Sequence, residues 1–216
     1  MPDLIFRIES ASVVPFAVVP IIAFQLHIDN GVPNETIHTI ALRCQIQIEV
    51  TRRRYAPAEQ ERLVDLFGQP DRWSQTLRNL LWTHSTVMVP AFEGVSTTAD
   101  LQVPCTFDFN VAATKYFEGL TEGEIPLNVL FSGTVFYTSG DGPLQVAPIS
   151  WEREARYKLP LKLWREMMDT YYPHSVWISL HRDAFEGLYR YKIQRGLLTL
   201  ERALEQVLAS ESVVNS

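Results

Sequence analysis

Apolar and polar residues alternate along long parts of this chain, and that alternation sets the first expectations. Leu101, Val103, Cys105, Phe107, Phe109 and Val111 are apolar. Asp100, Gln102, Thr106, Asp108 and Asn110 stand between them. A period of two predicts a strand over 100–111 with one dry and one wet face. Ile125–Tyr137 is apolar on both sides and predicts a doubly buried strand. Ile40, Leu42, Cys44, Ile46, Ile48 and Val50 predict another, with long polar side chains on its outer face, as in an antiparallel sheet with one solvated side. Shorter alternations over 4–9 and 22–29 add two more, the second ending at the turn pair Asn30-Gly31. Short strands are expected at 87–89 and 144–146, the latter after the turn Ser139-Gly140-Asp141-Gly142. Another is expected around Trp151–Leu159.

The period changes twice. Pro57, then Leu63, Val64 and Phe67, predict a helix that ends at Gly68 and Pro70; Trp73, Leu77, Leu80 and Leu81 predict a second. After Pro160, Trp164, Met167, Met168, Tyr171 and Tyr172 recur at i, i+3, i+4, i+7, i+8. Asp183 with Glu186 predicts a capped helix running to Gly196, and Thr199 can cap a final one. The tail 210–216 is expected to fray. These patterns define an α+β protein: an antiparallel β-sheet or sandwich over 1–159, a helical insertion at about 57–81, and a C-terminal helical region over 160–216 packing on it.

Composition narrows the function classes. The chain has 216 residues, is 46% hydrophobic and carries a net charge of −6. The acidic balance argues against nucleic acid as partner. The apolar run Val13–Phe24 is broken by Pro15 and Pro20, follows a single basic residue, Arg7, and is too short to span a bilayer. A cytoplasmic protein with no membrane partner and reduced thiols is therefore expected. The two cysteines, Cys44 and Cys105, fit neither a disulfide framework nor a zinc site. Both fall on apolar strand faces, where they read as small buried hydrophobes or as a pair meeting across a core.

Candidate chemistry is sparse. No Gly-x-Ser-x-Gly, phosphate-loop, dinucleotide or paired Cys-x-x-Cys pattern occurs. The five histidines show no ligand spacing, although His27 and His38 flank one turn. No catalytic residue, metal or cofactor is assigned. Arg52-Arg53-Arg54, with Arg62, Arg72 and Arg78 nearby, makes either a patch for an acidic partner or a phosphate, or a solvated strand end paired with Glu59, Glu61 and Asp65. Trp164, Met168 and Tyr172, with Trp177 beyond, form either a partner-binding groove or a face packed on the sheet. An alternative site between sheet and helices would draw on Arg43, Trp82 and His84, with Arg53.

Several segments together resemble an uncharacterised bacterial family, a domain of unknown function common in actinobacteria. They are Ala41–Ile46 with Arg52–Tyr55, Leu81-Trp82-Thr83-His84, Val103–Phe109 with Ala112–Tyr116, and Gly123–Leu127 with Phe131–Phe136. Leu159-Pro160 with Trp164-Arg165-Glu166 completes the set. The resemblance covers nearly the whole chain. It implies an encoding beside [NiFe]-hydrogenase subunits and maturation factors, and hence a non-enzymatic, chaperone-like accessory or assembly role with a hydrogenase subunit or maturation factor as partner. The alternative is a small-ligand-binding protein or enzyme. Oligomeric state is left open.

Overall fold

The structure, a computed structural model, describes residues 2–32, 34–140 and 142–214, with side chains through Ser210. Two compact units divide the chain, Met1–Ser175 and Val176–Ser216.

The first unit is an α+β sandwich of two antiparallel sheets. One sheet has the order β1 (Leu4–Val13), β2 (Ile21–Asn30), β5 (Ser96–Pro104). The other has the order β4 (Leu80–Val89), β3 (Glu35–Ile48), β6 (Glu124–Ser139), β7 (Gln145–Pro148). β8 (Glu154–Pro160) pairs with the first half of β6, beside the stretch that β7 pairs. Alternation works as physics requires: Ile22, Phe24, Leu26 and Ile28 of β2 and Ile40, Leu42, Cys44, Ile46 and Ile48 of β3 are buried in one core. The sheets approach at their margins, where β5 lies beside β4 and β1 beside β8; at the first, Ser85 Oγ donates to Gln102 O at 3.0 Å.

Length lets β6 serve both partners on one edge. Gly133 sits at the changeover with φ +140°, and a Cβ there would lie 2.0 Å from Ala41 O. Only glycine lets β6 come this close to β3.

Three local predictions change. The 100–111 alternation is a strand only to Pro104, which terminates it; Cys105 and Phe107 still turn inward, but Phe109 is exposed. Asn110 is no strand residue. Its side chain accepts from Ala113 N at 3.0 Å and so caps α4 (Val111–Gly119). The insertion is a string of short turns: α1 (Pro57–Arg62), α2 (Val64–Phe67), a 3-10 turn over Pro70–Arg72, and α3 (Trp73–Thr76). Leu80 and Leu81, read as helical, open β4. A register shift opposite Ile46/Gln47 then turns Trp82 inward, which is why Trp82 and Thr83 are both buried.

The helix opened by Pro160, α5 (Leu161–Tyr171), belongs to the first unit. The second unit holds α6 (Arg182–Gln194) and α7 (Leu200–Val214). Thr199 Oγ1 accepts from Arg202 N at 3.2 Å, the cap that its position suggests. At α6 no side chain caps the first turn, so the Asp183/Glu186 pattern is not used. The tail stays helical to Val214; positions 215 and 216 lie outside the described residues, as does Asp141 of the β6–β7 turn.

Candidate interaction site

The arginine run does not form one patch. Arg53 turns inward, and Arg52 and Arg54 remain on the surface. Arg53 Nη2 donates to Glu59 Oε1 at 2.7 Å and to Glu122 O at 2.6 Å, and Nη1 donates to Glu124 O at 2.8 Å. Glu59 is buried and also accepts from Thr121 N (2.7 Å), Thr121 Oγ1 (3.0 Å) and Ala56 N (3.1 Å). Desolvation pushes its carboxyl upward, but the hydrogen bonds from Thr121, Ala56 and Arg53 outweigh it and hold the group below the usual carboxylate range. Arg165 of α5 grips Thr121 O (2.7 Å) and Leu120 O from the other side. Beside this lock, Tyr116 Oη and Tyr55 Oη meet at 2.8 Å, and Tyr55 Oη donates to Val50 O at 2.6 Å. Every partner here belongs to the chain itself, so the cluster ties the insertion, the α4–β6 link and α5 together.

Arg52 lines an open cleft of about 660 Å³ with Arg156 and Lys158. Its cations are matched: Glu49 takes Arg52 at 3.0 Å and Arg156 at 3.8 Å, and Glu124 takes Lys158 at 3.7 Å.

The aromatic stripe of α5 faces inward. Trp164 is buried edge-on against Phe117, with ring centroids 5.3 Å apart; Met168 is buried, and Tyr172 lies on Phe107 at 4.7 Å. Trp177 belongs to the second unit and is partly exposed. The other candidates are not gathered either. Trp82 is buried against Phe24 and Phe117, whereas Arg43 and His84 stand exposed on the outer face of the β3–β4 pair. His27 lies between Glu9 (3.3 Å) and Asp29 (3.0 Å) on one sheet, and His38 meets Thr138 Oγ1 (3.3 Å) on the other. Among the described residues no cluster of three or more His, Cys, Asp or Glu side chains has metal-site geometry. Cys44 and Cys105 are buried free thiols, and burial pushes each up to about 12.

Two surfaces stand out instead. The first is the β1–β2 loop. No side chain from Val13 to Phe24 carries a charge or a hydrogen-bonding group. Phe16 and Val18 project into solvent, at 102% and 99% relative exposure. Phe16 holds φ +57°, a conformation uncommon for a bulky residue. The loop is fastened: Val14 N donates to Ile21 O at 2.9 Å, and Tyr171 Oη donates to Ala17 O at 2.9 Å. Beneath it lies a cleft of about 450 Å³ bordered by Val13, Pro15, Met167, Tyr171 and the carboxylate of Glu166. The signal in sequence is an apolar run interrupted by Pro15 and Pro20, which predicts a loop over 10–20 but not the outward display of Phe16 and Val18.

The second surface is the helical unit. Phe185, Tyr189 and Ile193 of α6, and Leu204 and Leu208 of α7, are exposed at four-residue spacing. Between the helices runs a groove of about 410 Å³ lined by Ile178, Phe185, Leu188, Leu200 and Leu204, with Glu201 at its rim.

The architecture is that of an α+β sandwich protein, with exposed apolar side chains on the β1–β2 loop and on the helical unit. The chain belongs to DUF6084, a family of unknown function whose sequence profile matches residues 1–216. No curated protein matches it. Among solved structures it is similar to IrmA from Escherichia coli (16% identity, 83% of this chain and 100% of that one, TM-score 0.31). It is similar also to the CARDB domain of the PF1109 protein from Pyrococcus furiosus, solved in complex with di-metal ions (13% identity, 74% and 92%, TM-score 0.29). No helix among the described residues is long and apolar enough to cross a membrane.

Proposed function

We propose that this protein is a non-enzymatic accessory or assembly factor that binds a protein partner through the β1–β2 loop. The observation that carries this reading is the full exposure of Phe16 and Val18 on a loop pinned by Tyr171. Solvated residues of this size gain nothing for folding. Seated in a partner's socket, a phenylalanine is worth about 1.5–3 kcal/mol, and pre-fastening the loop lowers the ordering cost of binding. The composition favours a protein over a lipid surface: interfacial anchors pair apolar residues with Lys and Arg, whereas this loop has none, and Glu166 beside it is already paired with Lys162 at 3.5 Å. The fitting partner presents an apolar socket.

The client class, a [NiFe]-hydrogenase subunit or maturation factor, rests on the family resemblance of the sequence segments. The cytoplasmic setting is part of the same proposal. The test is binding of the purified protein to purified large and small hydrogenase subunits by biolayer interferometry. Binding is expected, with Phe16→Ser weakening it at least tenfold and leaving the melting temperature unchanged. Absence of wild-type binding removes the hydrogenase client. Wild-type affinity in Phe16→Ser removes the loop as contact element.

A further inference from the structure

The helical unit carries a second inference, independent of the loop. It is a hairpin of two helices, 13 and 15 residues long. Ala203 is its one fully buried side chain among those described. Exposed apolar side chains follow one strip on each helix, and Phe185, Leu188, Leu200 and Leu204 border the same groove. Val176, Ile178 and Leu180, ahead of α6, are exposed as well and border this groove; exposed apolar surface gathered in one groove marks a contact surface.

Charge selects the occupant. Residues 176–216 contain five basic and five acidic residues, so the unit is neutral while the rest of the chain holds the −6. The balance is split between the helices. Arg182, Arg190, Lys192 and Arg195 against Asp183 and Glu186 leave α6 and its end at +2; Glu201, Glu205 and Glu211 against Arg202 leave α7 at −2. In an isologous pair related by a two-fold axis, α6 of one copy can lie against α7 of the other, positive on negative at both contacts. Two hairpins joined in this way make a four-helix bundle. We infer that a second copy of this chain occupies the groove, and that the protein is a homodimer held by a bundle of α6 and α7 from both subunits.

Sedimentation equilibrium of the full chain tests this, from low micromolar to about 100 μM. The expected species has twice the 24.7 kDa chain mass. Arg190→Glu with Lys192→Glu makes both helices acidic, and Glu201→Lys with Glu205→Lys makes both basic. Each double variant alone is expected to dimerise at least tenfold more weakly. Their equimolar mixture is expected to regain the dimer, since opposite charges again meet at both contacts. Far-UV circular dichroism of each variant reports whether the helices persist. A wild-type monomer throughout overturns the inference. A mixture no tighter than either variant alone, or a dimer that neither variant weakens, overturns it as well.

Discussion

Glu59→Gln is the sharpest perturbation of the first unit. All the observed acceptor duty of Glu59 is to donors: Arg53 Nη2, Thr121 N and Thr121 Oγ1 on Oε1, and Ala56 N on Oε2. A glutamine keeps the size but replaces one oxygen by an NH₂ group, so one donor must face another whichever way the amide turns. The change also leaves Arg53, whose side chain is only 11% exposed, without its counter-charge. Breaking a buried pair from one side costs about 3–5 kcal/mol. Since glutamine retains part of the hydrogen bonding, about 2–3 kcal/mol is expected, a fall in Tm of roughly 4–12 °C for a domain of this size. The pH dependence has a definite sign. The folded carboxyl titrates below its unfolded counterpart, so its contribution is complete above the unfolded value, near 4.3. It is lost as pH falls through the folded value. Calorimetric melts of both proteins at pH 7, 5 and 3.5 should show the gap constant from 7 to 5 and narrower at 3.5. A gap below 0.5 kcal/mol at pH 7, or one that widens in acid, refutes the reasoning.

Four further outcomes follow from other contacts. Gly133→Ala forces a Cβ onto Ala41 O, and a loss of about 3 kcal/mol or more is expected, read as a lowered urea midpoint or insoluble expression. Cys44 and Cys105 should resist a thiol reagent such as DTNB in the native state at pH 8 and react together once urea unfolds the first unit. Burial pushes the Tyr55 phenol up to about 12 and Tyr116 higher still, so both favour the neutral folded state. Their contribution is present below pH 10 and is lost above it, so absorbance at 295 nm should show their ionisation coinciding with alkaline unfolding. Tyr116→Phe, which removes one hydroxyl of the pair, should cost about 1 kcal/mol in a denaturant melt.

The strands were legible because a one-sided sheet writes its burial into the sequence with a period of two. What interrupts a strand is written elsewhere. Trp82 faces the core through a register shift opposite Ile46/Gln47, which no local pattern records. Asn110 holds the right parity for a strand, yet it caps α4 while its Nδ2 donates to Leu81 O (3.0 Å) and Trp82 O (2.7 Å). A cap and a wet strand position call for the same kind of side chain, and only the tertiary bond distinguishes them. The same holds for the arginine run. Arg53 could be told from its neighbours only by knowing that Glu122 O, Glu124 O and Glu59 would converge on it.

The candidate contact elements were missed for a related reason. Sequence patterns report which residues want to leave water, not whether the fold has room for them. The α5 stripe and the α6–α7 strips have the same helical period, but Trp164 and Met168 find Phe117 and the core while Ile193 and Leu208 stay in solvent. Val13–Phe24 likewise contains residues of both fates: Ile22 and Phe24 are fully buried, and Phe16 and Val18 are fully exposed. The prolines divide the two. Pro15 and Pro20 forbid continuous pairing, so the hairpin must open into a loop there, and Tyr171 fixes that loop from α5. Of the aromatic stripe, which the sequence leaves open between a partner-binding groove and a face packed on the sheet, Tyr171 fastens this loop at Ala17 O while Trp164 and Met168 are buried.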